Sequence, residues 1–216
     1  MTVEVHSINR PNGLNIAALY PSLWYYSPGK VLYAGFVGNS GLPYFKSSMW
    51  TLTPDGAGGG NWSQVTLDLG SIIPPGRPYM ATTTDSAWML GGVTGRPSQG
   101  MSGMLQYNES SRTFTNFSTE TFSTNRGYVL EGKMVHVPVF GPKGILVTLG
   151  GSILGSQTNT RIDFKVVSVF DVASKVFWNQ TTAGIIPDTR MDFCAAGLSS
   201  KNGTFEVYVD AARLMV

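Results

Sequence analysis

The stretch that decides the fold is GILVTLGG at residues 144–151, an aliphatic run that ends in a glycine pair. The turn-forming residues Gly141, Pro142 and Lys143 precede it. A bulky apolar run bounded by such residues predicts a β-strand. Three other runs have the same form, each after its own turn segment: residues 31–37 (VLYAGFV), 87–92 (AWMLGG) and 204–209 (TFEVYV).

These four runs end at a regular interval. The ends are marked by Gly35, Gly92, Gly151 and Asp210, which are separated by 57, 59 and 59 residues. Two of the ends are doublets, Gly91-Gly92 and Gly150-Gly151, whereas the first unit has Ala34-Gly35 and the last has Val209-Asp210. A near-constant interval with one local pattern indicates a structural repeat. A glycine pair lets the backbone turn and pass close to a neighbouring unit.

Two further markers recur in each unit. An aromatic residue, Trp62, Phe114 or Trp178, follows the glycine marker by 27, 22 and 27 residues. We expect these aromatic side chains to fill the layer between neighbouring units. An arginine after a turn-rich segment opens the next unit, and the three are Arg77, Arg126 and Arg190. Each unit then has four strands, of which the second ends at the glycine marker and the fourth carries the aromatic residue.

Four antiparallel strands in 50 to 60 residues predict a propeller blade, whose two apolar faces are buried by stacking on its neighbours. The predicted units span residues 14–76, 77–125 and 126–189, with an incomplete unit at 190–216.

The third unit resembles the kelch repeat, on the segments 144–151, 167–180 (VSVFDVASKVFWNQ), 187–190 (PDTR) and 191–197 (MDFCAAG). The chain is similar to the kelch-type propeller ectodomains of filamentous fungal proteins. The resemblance implies an all-β fragment of about three four-stranded antiparallel blades with extra strands at both ends, one of them near residues 2–8. Kelch propellers resemble rings of six or seven blades, so we expect a partial ring. Its open edges predict poor solubility or self-association.

Charge and composition exclude several classes of protein. Only 13% of the residues are charged and 26 of 216 are glycine, unlike a coiled coil. The net charge is +2 and no two basic residues are adjacent, so no basic run would follow a nucleic-acid backbone. The longest aliphatic stretch, residues 145–149, is too short for a membrane helix, and residues 1–15 carry no targeting signal.

One cysteine and five glycosylation sequons bear on the compartment. Cys194 cannot form an intrachain disulfide, and we expect it to be a small buried apolar residue. The five N-x-S/T sequons exceed the chance number of about two. They indicate either a Ser/Thr-rich polar surface or a chain of the secretory route, which the family resemblance also implies for full-length relatives. The sequons begin at Asn61, Asn108, Asn116, Asn179 and Asn202.

The sequence predicts no catalytic, cofactor or metal site. His6 and His136 are far apart, and we expect His136 to be structural. The kelch resemblance extends to copper oxidases of the galactose oxidase type, but one cysteine and two histidines do not supply such a site.

Residues 56–60 (GAGGG) lack the ending of a phosphate loop and predict a flexible hairpin loop. Asp171 and Asp188 are interpreted as turn residues, and any convergence of two carboxylates is left open. The candidates are Asp55, Asp68, Asp85, Glu109, Glu131, Asp163, Asp171, Asp188 and Asp192.

The long loops are the remaining candidates for function. Residues 39–48, 94–103 and 152–163 join predicted strands, and in a propeller they project from one face, where ligands commonly bind. The sequence therefore favours a non-catalytic scaffold for an unidentified protein or glycan. The alternatives are a degenerate relative of a galactose-oxidase-type enzyme and an inactive truncated fragment.

Overall fold

A computed structural model describes residues 22–26, 30–34, 48–67, 75–94, 99–117, 128–154 and 160–210, with the single residues 11 and 72. Within these ranges every regular element is a β-strand. No helix there is long and apolar enough to cross a membrane.

The strands form successive antiparallel sheets, which we call blades. Blade 1 contains β1 (Ser22–Tyr26), β2 (Lys30–Ala34), β3 (Ser48–Pro54) and β4 (Gly60–Thr66), in that order across the sheet. Blade 2 contains β5 (Tyr79–Thr82), β6 (Ser86–Leu90), β9 (Met104–Asn108) and β10 (Thr113–Phe117). Blade 3 contains β12 (Lys133–Val137), β13 (Ile145–Leu149), β16 (Val166–Asp171) and β17 (Phe177–Thr181). Blade 4 contributes β18 (Cys194–Ser199) and β19 (Phe205–Asp210).

Two smaller sheets lie in the connections. One pairs β7 (Val93–Thr94) with β8 (Gln99–Gly100), and the other orders β11 (Tyr128–Leu130), β14 (Ser152–Leu154) and β15 (Thr160–Arg161). The prediction of an all-β chain with three four-stranded antiparallel blades is confirmed, with two further strands at the C-terminal end. The strand expected near residues 2–8 lies outside the described residues, as do Gly35 and Arg126.

Each blade is a simple meander, so its two ends are distinct. The first strand of every blade begins at one end, which we call the entry face; the connections between the second and third strands lie there too. The hairpin turns at residues 55–59, 83–85, 109–112, 138–144, 172–176 and 200–204 lie at the opposite end, which we call the turn face. Residues 56–60 thus belong to a β3–β4 hairpin, in which Asp55 Oδ1 accepts the N–H groups of Ala57 and Gly59.

The core consists of apolar layers between successive blades. Blades 1 and 2 enclose Trp24, Met49, Ala87, Met89, Leu105 and Tyr107. Blades 2 and 3 enclose Tyr79, Ala81, Trp88, Leu90, Met104, Met134, Leu146 and Phe170. Blade 3 and the two strands of blade 4 enclose Val135, Leu149, Phe164 and Phe193. Alternate residues of each strand thus face opposite neighbours, which explains why both faces of a blade are apolar.

The prediction that Trp178 fills the layer between neighbouring blades is wrong, because its side chain is 64% exposed. In the β16–β17 ladder Phe177 pairs with the buried Phe170, and their ring centroids are 4.8 Å apart. Phe114 pairs with Tyr107 in the same way, 5.0 Å apart, and Trp62 pairs with Leu52. The aromatic position shared by the blades is therefore Trp62, Phe114 and Phe177. Trp178 is one residue further along its strand, so its side chain lies on the opposite face of the sheet.

The expectation that Cys194 is buried is also wrong, because the residue is exposed. Phe205, Val207 and Val209 of β19 pack with Ala195 against blade 3. Cys194 belongs to the other face of this two-stranded sheet, with Leu198 and Tyr208, which are 59% and 57% exposed.

Candidate functional site

Three charged residues occupy the same structural position in successive blades. Arg77, Glu131 and Asp192 each lie two residues before the first strand of their blade. All three have left-handed backbone angles, with φ of 58°, 62° and 53°. The N–H of Glu131 donates to the carbonyl oxygen of Arg77 at 3.0 Å, and the N–H of Asp192 donates to that of Glu131 at 3.0 Å. These main-chain bonds place the three residues side by side on the entry face.

Glu131 is the best buried carboxylate of this group. Its Oε1 accepts a hydrogen bond from Arg77 Nη1 at 2.5 Å, and its side chain is only 4% exposed. Its Oε2 and the Oγ of Ser152 are both buried, and the Ser152 hydroxyl lowers the pKa of Glu131. Burial and the nearby carboxylate of Asp192 raise the pKa of Glu131, and Arg77 acts in the opposite direction.

A buried tyrosine, Tyr79, lies next to the charged group. Its side chain is fully buried and its hydroxyl donates to the carbonyl oxygen of Gly150. Gly132 and Gly151 pack directly on the Tyr79 ring and hydroxyl, where a Cβ at either position would overlap them. Burial, followed by the charge of Glu131, raises the pKa of Tyr79 above the ordinary tyrosine range, so the phenol stays neutral.

The charged group lines a cavity of about 150 Å³ on the entry face. Its lining combines two cationic and two anionic side chains with one thioether: Arg77, Pro78, Met80, Glu131, Gly132, Lys133 and Asp192. Such a lining can both donate and accept hydrogen bonds. Pockets for small molecules are larger, roughly 300–1,000 Å³. The cavity therefore suits one polar group of a larger ligand.

The glycine doublets hold neighbouring blades together beside this cavity. The N–H of Gly92 donates to the carbonyl oxygen of Val129 at 2.7 Å, and the N–H of Gly151 donates to that of Arg190 at 2.8 Å. All four doublet residues have positive φ. A Cβ on Gly91 would overlap the backbone of Val129, and one on Gly150 would lie 2.8 Å from the carbonyl oxygen of Arg190. Only glycine fits this conformation and approach.

The predicted arginine markers are not equivalent in space. Arg77 belongs to the charged group of the entry face, but Arg190 lies two residues before Asp192, where blade 3 has Val129. The Nε of Arg190 donates to the carbonyl oxygen of Asp188.

Of the candidate carboxylates, the structure brings together Glu131 and Asp192. The other described ones lie in turns, connections or exposed positions, and Asp68 and His6 fall outside the described ranges. His136 lies in β12, half-buried, and burial lowers its pKa. In the described part of the chain no three His, Cys, Asp or Glu residues form a metal-binding group.

Comparison with known proteins agrees with this architecture. No model of a known protein family matches the chain. A kelch repeat-containing protein of Arthroderma benhamiae is 34% identical over 74 residues, which cover 34% of this chain and 10% of that protein. The structure of YjhT superposes with a TM-score of 0.54 at 10% identity, over 81% of this chain and 54% of YjhT. The chain thus spans about a tenth of the curated relative and about half of the structural neighbour. The chain therefore has a β-propeller fold, and part of its sequence is similar to a kelch repeat-containing protein.

Proposed function

We propose that the chain is a non-catalytic scaffold that binds a protein or glycan ligand on its entry face. The observation that carries this proposal is the charged group Arg77, Glu131 and Asp192, repeated at one position of three blades around a small polar cavity. Repetition around an axis presents different side chains to one ligand from a rigid base.

The backbone of this group supports a functional role. A left-handed conformation costs a non-glycine residue roughly 1–2 kcal/mol. Glycine would remove that cost at each of the three positions, yet Arg, Glu and Asp are present instead. Strained residues of this kind concentrate at functional sites.

The connections between second and third strands also support the proposal that the ligand binds on the entry face. Those of blades 2 and 3 carry β7–β8 and β14–β15 on the side of the charged group, and β14 also pairs with β11, which directly precedes the first strand of blade 3. The surface offered to a ligand therefore extends beyond the cavity. This favours a ligand that lies across the face and inserts one polar group, as a protein or an oligosaccharide does.

The enzyme alternative has one observation in its favour. Glu131 has a raised pKa and lies beside a second carboxylate, Asp192, which is a common property of acid–base pairs. The 2.5 Å pairing of Glu131 with Arg77 favours the binding interpretation, because the cation stabilises the ionised carboxylate that accepts hydrogen bonds.

The test is a binding screen with a charge reversal in the cavity. Wild-type protein and Lys133→Glu are applied to an oligosaccharide array and a random peptide display library. The control is Lys201→Glu, which makes the same charge change at the exposed β18–β19 turn on the turn face. We expect selective binding by wild type and Lys201→Glu that Lys133→Glu weakens at least tenfold. Equal binding by all three proteins, or no selective binding by wild type, contradicts the proposal.

A further inference from the structure

We propose that Asn61, Asn179 and Asn202 are acceptors of N-linked glycans, and that Asn108 and Asn116 are not. The five sequons differ in how the structure uses their amide groups. A glycosylated asparagine must stay exposed in the folded chain, and its Nδ2 must carry the sugar without breaking a contact of the fold. The three proposed acceptors satisfy both conditions, and the two others each fail one.

Asn202 lies at the tip of the β18–β19 hairpin and is exposed. Its Oδ1 accepts bonds from the hydroxyls of Ser200 and Thr204, at 2.5 and 2.9 Å, whereas no described group bonds its Nδ2. Thr204 is the hydroxyl residue of this sequon. A Cβ built on Gly203 meets no atom within 4 Å, so the tip is surrounded by open space. A bulky glycan fits here without moving the fold.

Asn61 and Asn179 lie on outermost strands, in β4 and β17, and both are exposed. Asn61 pairs with Thr53 near the hairpin of blade 1. The Oδ1 of Asn179 accepts a bond from the buried Ser168 hydroxyl at 2.6 Å. That bond fixes the amide on the strand and leaves its Nδ2 without a partner in the described structure. Both residues therefore present the acceptor nitrogen at the outer rim of the propeller.

Asn108 serves a different purpose. It is half-buried, and its Oδ1 accepts the N–H and the hydroxyl of Ser111, at 2.9 and 3.1 Å, in the β9–β10 turn. Asp171 occupies the corresponding position in blade 3, where its Oδ1 accepts the N–H groups of Ala173 and Ser174. Because an aspartate replaces the asparagine there, the turn requires the side-chain oxygen and not the amide nitrogen. We infer that Asn108 is a turn residue whose sequon is incidental.

Asn116 is exposed, but its amide is engaged. Its Nδ2 donates to the carbonyl oxygen of Ser102 at 3.5 Å, and its Oδ1 packs on Gly103. The side chain thus covers the glycine, whose φ is 96°. A glycan on Nδ2 would displace this contact.

The transfer needs a co-reactant of the secretory route, an oligosaccharide linked to a lipid pyrophosphate. The Asn Nδ2 bonds to C1 of the first sugar, the C1–O bond to the pyrophosphate breaks, and the amide loses one proton. The lipid pyrophosphate is the leaving group. All three acceptors lie away from the cavity residues Arg77, Lys133 and Asp192, so the glycans would leave the entry face open.

The test is site mapping on the full chain, expressed behind a heterologous leader in a glycosylating eukaryotic host. Glycans are removed by an amidase in heavy-oxygen water, which converts each occupied Asn to labelled Asp, and peptides of secreted and retained chains are mapped. We expect label at Asn61, Asn179 and Asn202. Label at Asn108 or Asn116, or its absence from a proposed acceptor, overturns the assignment of that residue.

Matched variants separate sequon loss from structural damage. Thr204→Ala should remove one glycan, whereas Thr204→Ser changes the same site but keeps the sequon and the glycan. Ser110→Ala destroys the Asn108 sequon and should leave the mass of the glycosylated chain unchanged except for the substituted residue. Loss of a glycan from Ser110→Ala would contradict the structural role assigned to Asn108.

Discussion

The N–H of Gly151 donates to the carbonyl oxygen of Arg190 at 2.8 Å, which joins the end of a second strand in blade 3 to the segment that enters blade 4. Gly92 and Val129 make the same bond one blade earlier, at 2.7 Å. Successive blades are therefore joined by main-chain hydrogen bonds in addition to the apolar layers between them.

Replacing Gly151 by alanine should destabilise the protein far more than the same change at Gly203. Both glycines have a φ of 83°, so both substitutions cost roughly 1–2 kcal/mol of backbone strain. A Cβ on Gly151 would also lie 2.7 Å from Leu130 O and from Gly132 N, whereas Gly203 has open space. We expect a loss of roughly 3 kcal/mol or more for Gly151→Ala, measured by urea denaturation. Equal losses for the two variants would show that the doublet is not a close contact.

Phe177→Ala should cost about 2 kcal/mol or more, and Trp178→Ala less than about 1 kcal/mol. Phe177 packs on the buried Phe170, whereas the adjacent Trp178 is 64% exposed. Thermal and urea unfolding of both variants compare neighbouring residues on opposite faces of one strand. A larger loss for Trp178→Ala would indicate that the β17 register is wrong.

Asp171→Ala should lose about 1 kcal/mol, and Asp171→Asn should retain most of the turn because it keeps the acceptor oxygen. The N–H groups of Ser174 and Ala173 hold the pKa of Asp171 below its ordinary value of 3.8. This contribution is present above pH 3.8 and is lost as the pH falls through the folded-state pKa. Wild type should therefore lose its advantage over Asp171→Asn on acidification, measured by denaturation at several pH values. A constant difference between the two would contradict the assignment.

The contribution of Glu131 to stability should change with pH in the opposite direction to that of Asp171. Its folded-state pKa is raised, mainly by burial, above the ordinary 4.5. In the window above pH 4.5 the folded chain binds more protons at this residue, so stability falls as the pH rises. The stability of wild type relative to Glu131→Gln should decrease across that window, measured by denaturation at several pH values. An increase would mean that Arg77 outweighs burial.

Cys194 should react with a thiol reagent in the native state, without prior unfolding. The residue is exposed on a face of β18–β19 that no described residue covers. Burial of this face in an assembly would slow the reaction as protein concentration rises. Labelling is followed by mass spectrometry beside sedimentation velocity. Protection of Cys194 in a dilute monomer would contradict the exposed placement.

The sequence predicted the strands and their order because turn residues and glycine doublets mark strand ends locally. It misassigned Trp178 because a spacing count cannot decide between adjacent residues, and one residue reverses the face of a strand. It grouped Arg77 with Arg190 for a similar reason, although the residue that corresponds to Arg77 is Asp192.

The charged group of the entry face could not be predicted from local pattern. Arg77 and Glu131 are 54 residues apart in the chain, and their ion pair depends on how two blades stack. The available signal was weak: a charged residue two positions before the first strands of blades 2, 3 and 4. The left-handed conformation that unites Arg77, Glu131 and Asp192 is visible only in the folded chain.

The main-chain bonds between Arg77, Glu131 and Asp192 have an evolutionary consequence. Peptide groups make these bonds, so the side chains at the three positions can be exchanged without removing a link between blades. A propeller of this design can acquire a new ligand by single substitutions at the entry face while its architecture stays unchanged. Diversity among related proteins should therefore concentrate at these positions, and the adjacent glycine doublets should stay invariant.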